Sequence, residues 1–194
     1  MIRRLSQSKQ GATAVEFAII AAPLTVVLFG TLELGYQAYA IAMVQGTTYA
    51  AARQATLENA TETTIRTYIK DQLKGIAKPE DVTLDASAFR DYNKIGQPEK
   101  ITTDKNGNGQ YDKDDLDCFV DDNGNNQYDI ASQGKQGIGG AEDVVRFKVD
   151  VSYKRFTPVM SLMGLGDTVE ISRTTFMRNE PYAGVPAPVI RCGV

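Results

Sequence analysis

The chain has 194 residues with 21 basic and 24 acidic side chains, no His, no Trp and two Cys. Without His there can be no imidazole-based triad and no His-ligated zinc or haem, and two Cys alone cannot close a thiolate zinc site. The net charge of −3 is uneven: residues 104–129 carry eight Asp against Lys105 and Lys113, or −6, whereas the rest carries 16 acids and 19 bases, or +3.

Hydrophobic residues at 42% suffice for a core, and the length suits one domain plus an appendage. No long basic run points to nucleic acid. Arg3, Arg4 and Lys9 precede an apolar segment in which 16 residues, Phe17 to Leu32, carry no charge; with Ala12–Val15 the stretch reaches 20, interrupted by Glu16. About 20 helical residues span a hydrocarbon core of about 30 Å. Nothing basic follows until Arg53, so the positive-inside rule places the N-terminus in the cytoplasm and the remainder outside. Two other readings compete: a buried core helix, and a secretory signal peptide cut after Ala38-Tyr39-Ala40. Glu16 sits badly in a signal core, and an ionisable group in a membrane segment is a functional-site hypothesis in itself.

Glu16 is the fifth residue after Gly11, and here the segment resembles the class III signal of type IV pilins. The resemblance implies cleavage between Gly11 and Ala12, and a Glu16 carboxylate that meets a neighbouring subunit's N-terminal ammonium. Pairing relieves part of the cost of each charge in apolar surroundings. The longer run Gly-Ala-Thr-Ala-Val-Glu-Phe-Ala-Ile-Ile-Ala-Ala-Pro-Leu at 11–24 is similar to the TadE-like family of the Tad pilus system. So are Leu28-Phe-Gly-Thr-Leu-Glu-Leu-Gly35 and Arg173-Thr-Thr-Phe-Met-Arg-Asn-Glu-Pro-Tyr182. The likeness covers 11–75 and roughly 144–182, but not 100–140. It implies a minor pilin or pseudopilin that sits in the bacterial inner membrane as a single-pass protein. Its partners would be a prepilin peptidase, another minor pilin and major pilin subunits, the Tad inner-membrane assembly platform and membrane lipid. Loss of the leader would remove three bases and leave a mature charge of −6.

Helical patterning continues beyond the membrane part (about 12–36). Leu57, Ile65, Tyr68, Ile69, Leu73 and Ile76 form one apolar stripe, with Gly75 as C-cap and Pro79 as stop. One helix is predicted over 12–75, bent near Pro23. Small residues (Ala38, Ala40, Ala42, Gly46, Ala50, Ala51, Ala52) recur along it, from close approach of a partner helix or simply from helix propensity. Residues 76–194 are predicted as an extracytoplasmic domain. Val82–Ser87 reads as a strand. In Val145–Tyr153, Val145, Phe147, Val149, Val151 and Tyr153 alternate with polar residues, as in a sheet with one wet face. A second strand over about 168–177 should pair with it. The connection 156–166 is unusually apolar; it is either a membrane or partner contact, or a loop folded on its own core. The tail 181–194 is predicted extended. The fold class is thus α+β: a long N-terminal helix on a small antiparallel sheet, with an insert at 103–132.

That insert contains an internal repeat. Asp104-Lys-Asn-Gly-Asn-Gly-Gln-Tyr-Asp112 and Asp121-Asp-Asn-Gly-Asn-Asn-Gln-Tyr-Asp129 match at seven of nine positions, at an offset of 17. The pattern resembles EF-hand-like calcium loops of the dockerin kind. The resemblance implies Ca²⁺ held by Asp104, Asn106, Asn108, Gln110 (carbonyl), Asp112 and Asp115, and in the second loop by Asp121, Asn123, Asn125, Gln127 (carbonyl) and Asp129. Gly109 supplies the sharp turn at position six, and Asn126 tolerates it. The second loop ends on Ser132 where Asp115 closes the first, so the first is the better site. An Asx-turn-rich solvated loop is the alternative. Cys118 and Cys192 would form a disulfide if the domain is extracytoplasmic, or remain separate thiols. No nucleophile–base pair is visible, which argues against an enzyme. A calcium-dependent binding or adhesion module, membrane-anchored or secreted, is the alternative function.

Overall fold

In the computed structural model, residues 13–194 are described with their side chains, together with the backbone of Gln10, Gly11 and Ala12. The basic leader (Arg3, Arg4, Lys9) and the side chains of the Gly11–Ala12 junction lie outside the described residues. The elements in chain order are α1 (Gln10–Ala55), α2 (Glu62–Leu73), β1 (Val82–Phe89), β2 (Ile101–Thr103), β3 (Cys118–Asp121), β4 (Lys135–Gln136), β5 (Val144–Lys154), α3 (Val159–Leu162), β6 (Thr168–Arg178) and β7 (Val189–Cys192). The class is α+β with antiparallel sheets.

The chain divides into two compact units. The first comprises the described residues up to Ala42 together with Tyr153–Val169, which holds the β5–β6 connection and the strand ends that flank it. Within it α1 runs unbroken through Pro23. Its most apolar 18-residue window has no residue buried within the chain, which removes the core-helix reading. By length and composition α1 can cross a membrane.

The second unit comprises Met43–Ser152 and Glu170–Val194. A four-stranded sheet of order β4-β1-β5-β6 forms its base. β1 and β5 pair antiparallel from Val82↔Val151 to Phe89↔Val144. The predicted alternation in β5 holds: Val145, Phe147, Val149 and Val151 are buried, while Arg146, Lys148, Asp150 and Ser152 are half-exposed. Against β1 packs α2, which buries Ile65, Ile69 and Leu73.

Three expectations need correction. The helix is not continuous to residue 75; it stops at Ala55 and restarts at Glu62. Thr56 Oγ1 turns back to the Arg53 carbonyl (2.8 Å), and Thr61 caps the new helix by accepting from the Thr64 N–H at 3.2 Å. Short hydroxyl side chains compete for backbone groups in this way and break helices where no apolar stripe holds them. Leu57, assigned to the stripe, is 52% exposed in the break. Secondly, there are two sheets, the second of order β2-β3-β7. Thirdly, the tail is not merely extended: Val189–Cys192 is a strand with partners Cys118↔Cys192 through Asp121↔Val189. The small-residue run is also divided, since Ala40, Ala51 and Ala52 are buried within the chain while Ala38, Ala42 and Gly46 are exposed.

Candidate functional site

Two places hold the residues singled out by the sequence, the exposed helix in the first unit and the duplicated loop in the second.

On α1, Glu16 is exposed among exposed Val15, Phe17, Ile19 and Ile20, a single carboxylate on an apolar surface. Glu33 behaves differently. It is fully buried; its Oε2 accepts from the Thr157 N–H (3.3 Å) and Oγ1 (3.0 Å), and its Oε1 faces Arg155 Nη1 at 3.5 Å. Sequence reading used Glu33 as the end of an uncharged run and as part of the family-like stretch 28–35, and gave it no partner. Nothing local announces a partner 122 residues away.

The repeat at 104–112 and 121–129 is a repeat in geometry as well as in sequence. In each loop the first Asp accepts from backbone N–H groups across the turn: Asp104 from Gly107 and Gly109, both at 2.7 Å, and Asp121 from Gly124 at 2.6 Å and Asn126 at 3.2 Å. The Asn residues at positions three and five each make an Asx turn to the N–H two residues on. Asn106 and Asn108 accept from Asn108 and Gln110, and Asn123 and Asn125 accept from Asn125 and Gln127. Both amides then donate inward to the ninth residue: Asn106 and Asn108 to Asp112 at 3.0 and 2.6 Å, Asn123 and Asn125 to Asp129 at 2.6 and 3.0 Å. Position six is left-handed in both, with Gly109 at φ 78° and Asn126 at φ 61°. Asx turns and a left-handed residue are what an N-G-N repeat favours.

Two residues missed by the sequence reading hold these loops. Asp117 is fully buried; Oδ1 accepts from Lys105 N–H (2.9 Å), Oδ2 accepts from Asp112 N–H (3.0 Å), and its own N–H donates to the Asp112 carbonyl (3.2 Å). Glu99, 2% exposed, does the same for the second loop through Asp122 N–H (2.8 Å), Asp129 N–H (3.1 Å) and the Asp129 carbonyl (2.9 Å). Lys105 and Asp122 are both position two, and Asp112 and Asp129 both position nine. One carboxylate thus clamps the same two donors of each loop, although one clamp follows its loop and the other precedes both. Burial raises the Glu99 pKa, opposed by the two N–H bonds and reinforced by the neighbouring Asp129 and Asp121 charges. Between the loops, Tyr111 and Tyr128, position eight of each, stack at 4.8 Å, and Phe119 of β3 meets both edge-on at 5.0 and 5.4 Å.

The loops differ in charge compensation. In the second, Asp121 faces Arg191 at 3.4 Å, and Asp122 lies between Arg90 (3.7 Å) and Lys94 (3.6 Å). In the first, no Lys or Arg among the described residues pairs with Asp104, Asp112 or Asp115; Asp115 accepts only from Asn106 Nδ2, at 2.5 Å. Ser132, at the closing position of the second loop, is buried and accepts from the Gly134 N–H. Among the described residues, no three acidic, His or Cys side chains are gathered closely enough to hold a metal ion. The first loop's donor set is wholly carboxylate and amide, which suits a hard cation in kind. As arranged, the Asn106 and Asn108 amide nitrogens take the inward positions, so a cation needs both amides turned over.

Cys118 and Cys192 are bonded, with Cα atoms 4.0 Å apart, and tie β3 to β7. Tyr111 Oη also donates to the Val194 carbonyl at 2.8 Å, so the chain end is held beside the first loop.

Fold and helix define a class: an α+β chain with one N-terminal helix fit to anchor it in a membrane. A family model described as TadE-like protein matches residues 11–53, which are α1 almost in full. Neither a search of curated proteins nor one of solved structures finds a match.

Proposed function

We propose that the chain is a minor pilin, or pseudopilin, of a Tad-type type IV pilus, anchored in the bacterial inner membrane with its N-terminus in the cytoplasm. It would help initiate, cap or assemble the filament through α1. The observation that carries this reading is the match over 11–53 to a helix whose apolar surface the chain itself does not cover. An uncovered apolar helix needs lipid or other subunits around it. The matched family is not an enzyme family. Glu16, exposed on that surface, is the docking charge, and cleavage between Gly11 and Ala12 by a prepilin peptidase frees the ammonium such a carboxylate would meet. The partners are then other minor and major pilin subunits and the Tad inner-membrane platform. A disulfide is favoured by an oxidising compartment, which agrees with a periplasmic second unit.

Intact mass of the membrane-extracted protein should show a start at Ala12, and Glu16→Gln should abolish or strongly reduce piliation while membrane insertion is retained. Wild-type piliation by the Glu16→Gln strain would remove Glu16 from assembly. A start at Ile41 would point instead to a secreted module.

A second reading, a calcium-dependent binding or adhesion module, is favoured by the uncompensated carboxylates of the first loop. We infer Ca²⁺ there, with Asp104, Asn106, Asn108, Gln110, Asp112 and Asp115 as its holders. The second-loop set Asp121, Asn123, Asn125, Gln127 and Asp129 is the weaker candidate because Arg191 already faces Asp121. A cation binding the native state only stabilises it by mass action. Millimolar Ca²⁺ should therefore raise the melting temperature of the wild-type chain relative to chelator, and Asp112→Asn should cancel that rise. An unchanged melting curve would exclude the metal.

A further inference from the structure

The β5–β6 connection carries four large apolar side chains in the open: Phe156 (56% exposed), Leu162 (85%), Met163 (67%) and Leu165 (58%). Such a cluster is costly in water and marks a contact surface. Four consecutive backbone N–H groups at its tip, by contrast, are satisfied within the connection itself. The N–H groups of Leu162, Met163, Gly164 and Leu165 all donate to carbonyls of Pro158–Ser161, at 2.9 to 3.2 Å. Internal satisfaction of that kind is what hydrocarbon demands and water does not.

Within the first unit the connection is bound to α1 at one level. Glu33 is the first ionisable residue after the uncharged run Phe17–Leu32. The connection brings it Arg155, whose Nε also donates to the Gly166 carbonyl at 3.1 Å, together with the Thr157 N–H and hydroxyl. Tyr36 meets Tyr153 and Phe156 edge-on at 5.5 and 5.4 Å. Nearer the N-terminus, Met160 Cε lies 3.8 Å from where a Cβ on Gly30 would stand. The tip therefore lies beside the last turn of the uncharged run. At about 1.5 Å per residue, Gly30 is about 9 Å before Tyr36 along the axis. Interfacial apolar elements sit at a depth of about 5–10 Å.

We propose that Phe156, Leu162, Met163 and Leu165 insert among the lipid acyl chains of the bilayer that α1 crosses, at the C-terminal end of its span, so that the chain holds the membrane at two points. The surface is continuous with the lipid-facing helix, and the Glu33–Arg155 pair lets a carboxylate enter that zone with its counter-charge. The proposal rests on the reading of α1 as a membrane span.

The chain has no Trp, so single-Trp variants report cleanly. Leu162→Trp and Leu24→Trp, both at exposed positions, are placed in full-length protein at one copy per phosphatidylcholine nanodisc. Acyl chains brominated near the headgroup should quench Leu162→Trp about twofold or more relative to unbrominated lipid. Chains brominated near the methyl end should quench it less, the order expected at about 5–10 Å depth. Leu24→Trp should be quenched by deep bromines. Quenching of Leu24→Trp but not of Leu162→Trp would overturn the lipid-inserted tip and leave the span intact, making a protein partner the occupant. Absence of quenching at both positions would overturn the span and the tip together.

Discussion

Replacing Cys118 and Cys192 together by Ser should lower the stability of the full chain in detergent by about 4–5 kcal/mol, the entropy of closing a loop of this size in the unfolded chain. The two Cys are register partners at sequence separation 74, and the bond joins β3 to the last strand. Beyond its backbone ladder with β3 that strand has little apolar burial to hold it, for Val189 is 44% and Ile190 55% exposed. Arg191 facing the buried Asp121, and Tyr111 bonded to Val194, are its remaining side-chain ties. Urea unfolding with and without reductant is the measurement. Reductant should shift the wild-type midpoint and leave the double variant unmoved. A loss below about 1 kcal/mol would mean that the unfolded chain is already compact around this segment.

Asp117→Ala should destabilise the second unit by about 2–4 kcal/mol, because it removes a fully buried carboxylate that accepts two charge-assisted bonds from backbone N–H groups. Glu99→Ala should cost a similar amount. Amide hydrogen exchange separates the two clamps. Asp117→Ala should lose protection at Lys105 and Asp112, and Glu99→Ala at Asp122 and Asp129, since those are the N–H groups each one accepts from. If either variant exposes all four amides equally, the stacked Tyr111 and Tyr128 make the loops one cooperative unit and the clamps are not independent.

Legibility in the sequence followed interaction range. β5 could be assigned residue by residue because alternate side chains of a strand must face opposite sides, and Phe147, Val149 and Val151 are buried as that pattern requires. The duplicated loop was equally readable, since an Asx turn is made between residues two apart. Gly109 and Asn126 adopt the left-handed turn their positions call for. The break at Thr56–Thr61 was legible in principle: Thr61 followed by Glu62 and Thr64 is a helix start, but it lay inside a run that the 3.6-residue period also fitted. The tail strand was not legible, because Val189–Cys192 has no alternation and is a strand only through its partner β3.

By itself the sequence determined what depends on neighbours along the chain: an apolar helix long enough to cross a bilayer, a two-faced strand and a twice-written loop. Tertiary structure alone decided which charges are compensated. Glu33 and Arg155 are far apart in the chain and meet only because the β5–β6 connection lies beside the helix. Glu99 and Asp117 look like ordinary acids until folding closes a loop on each, and only then does burying a carboxylate become affordable, because backbone N–H groups replace the water it loses.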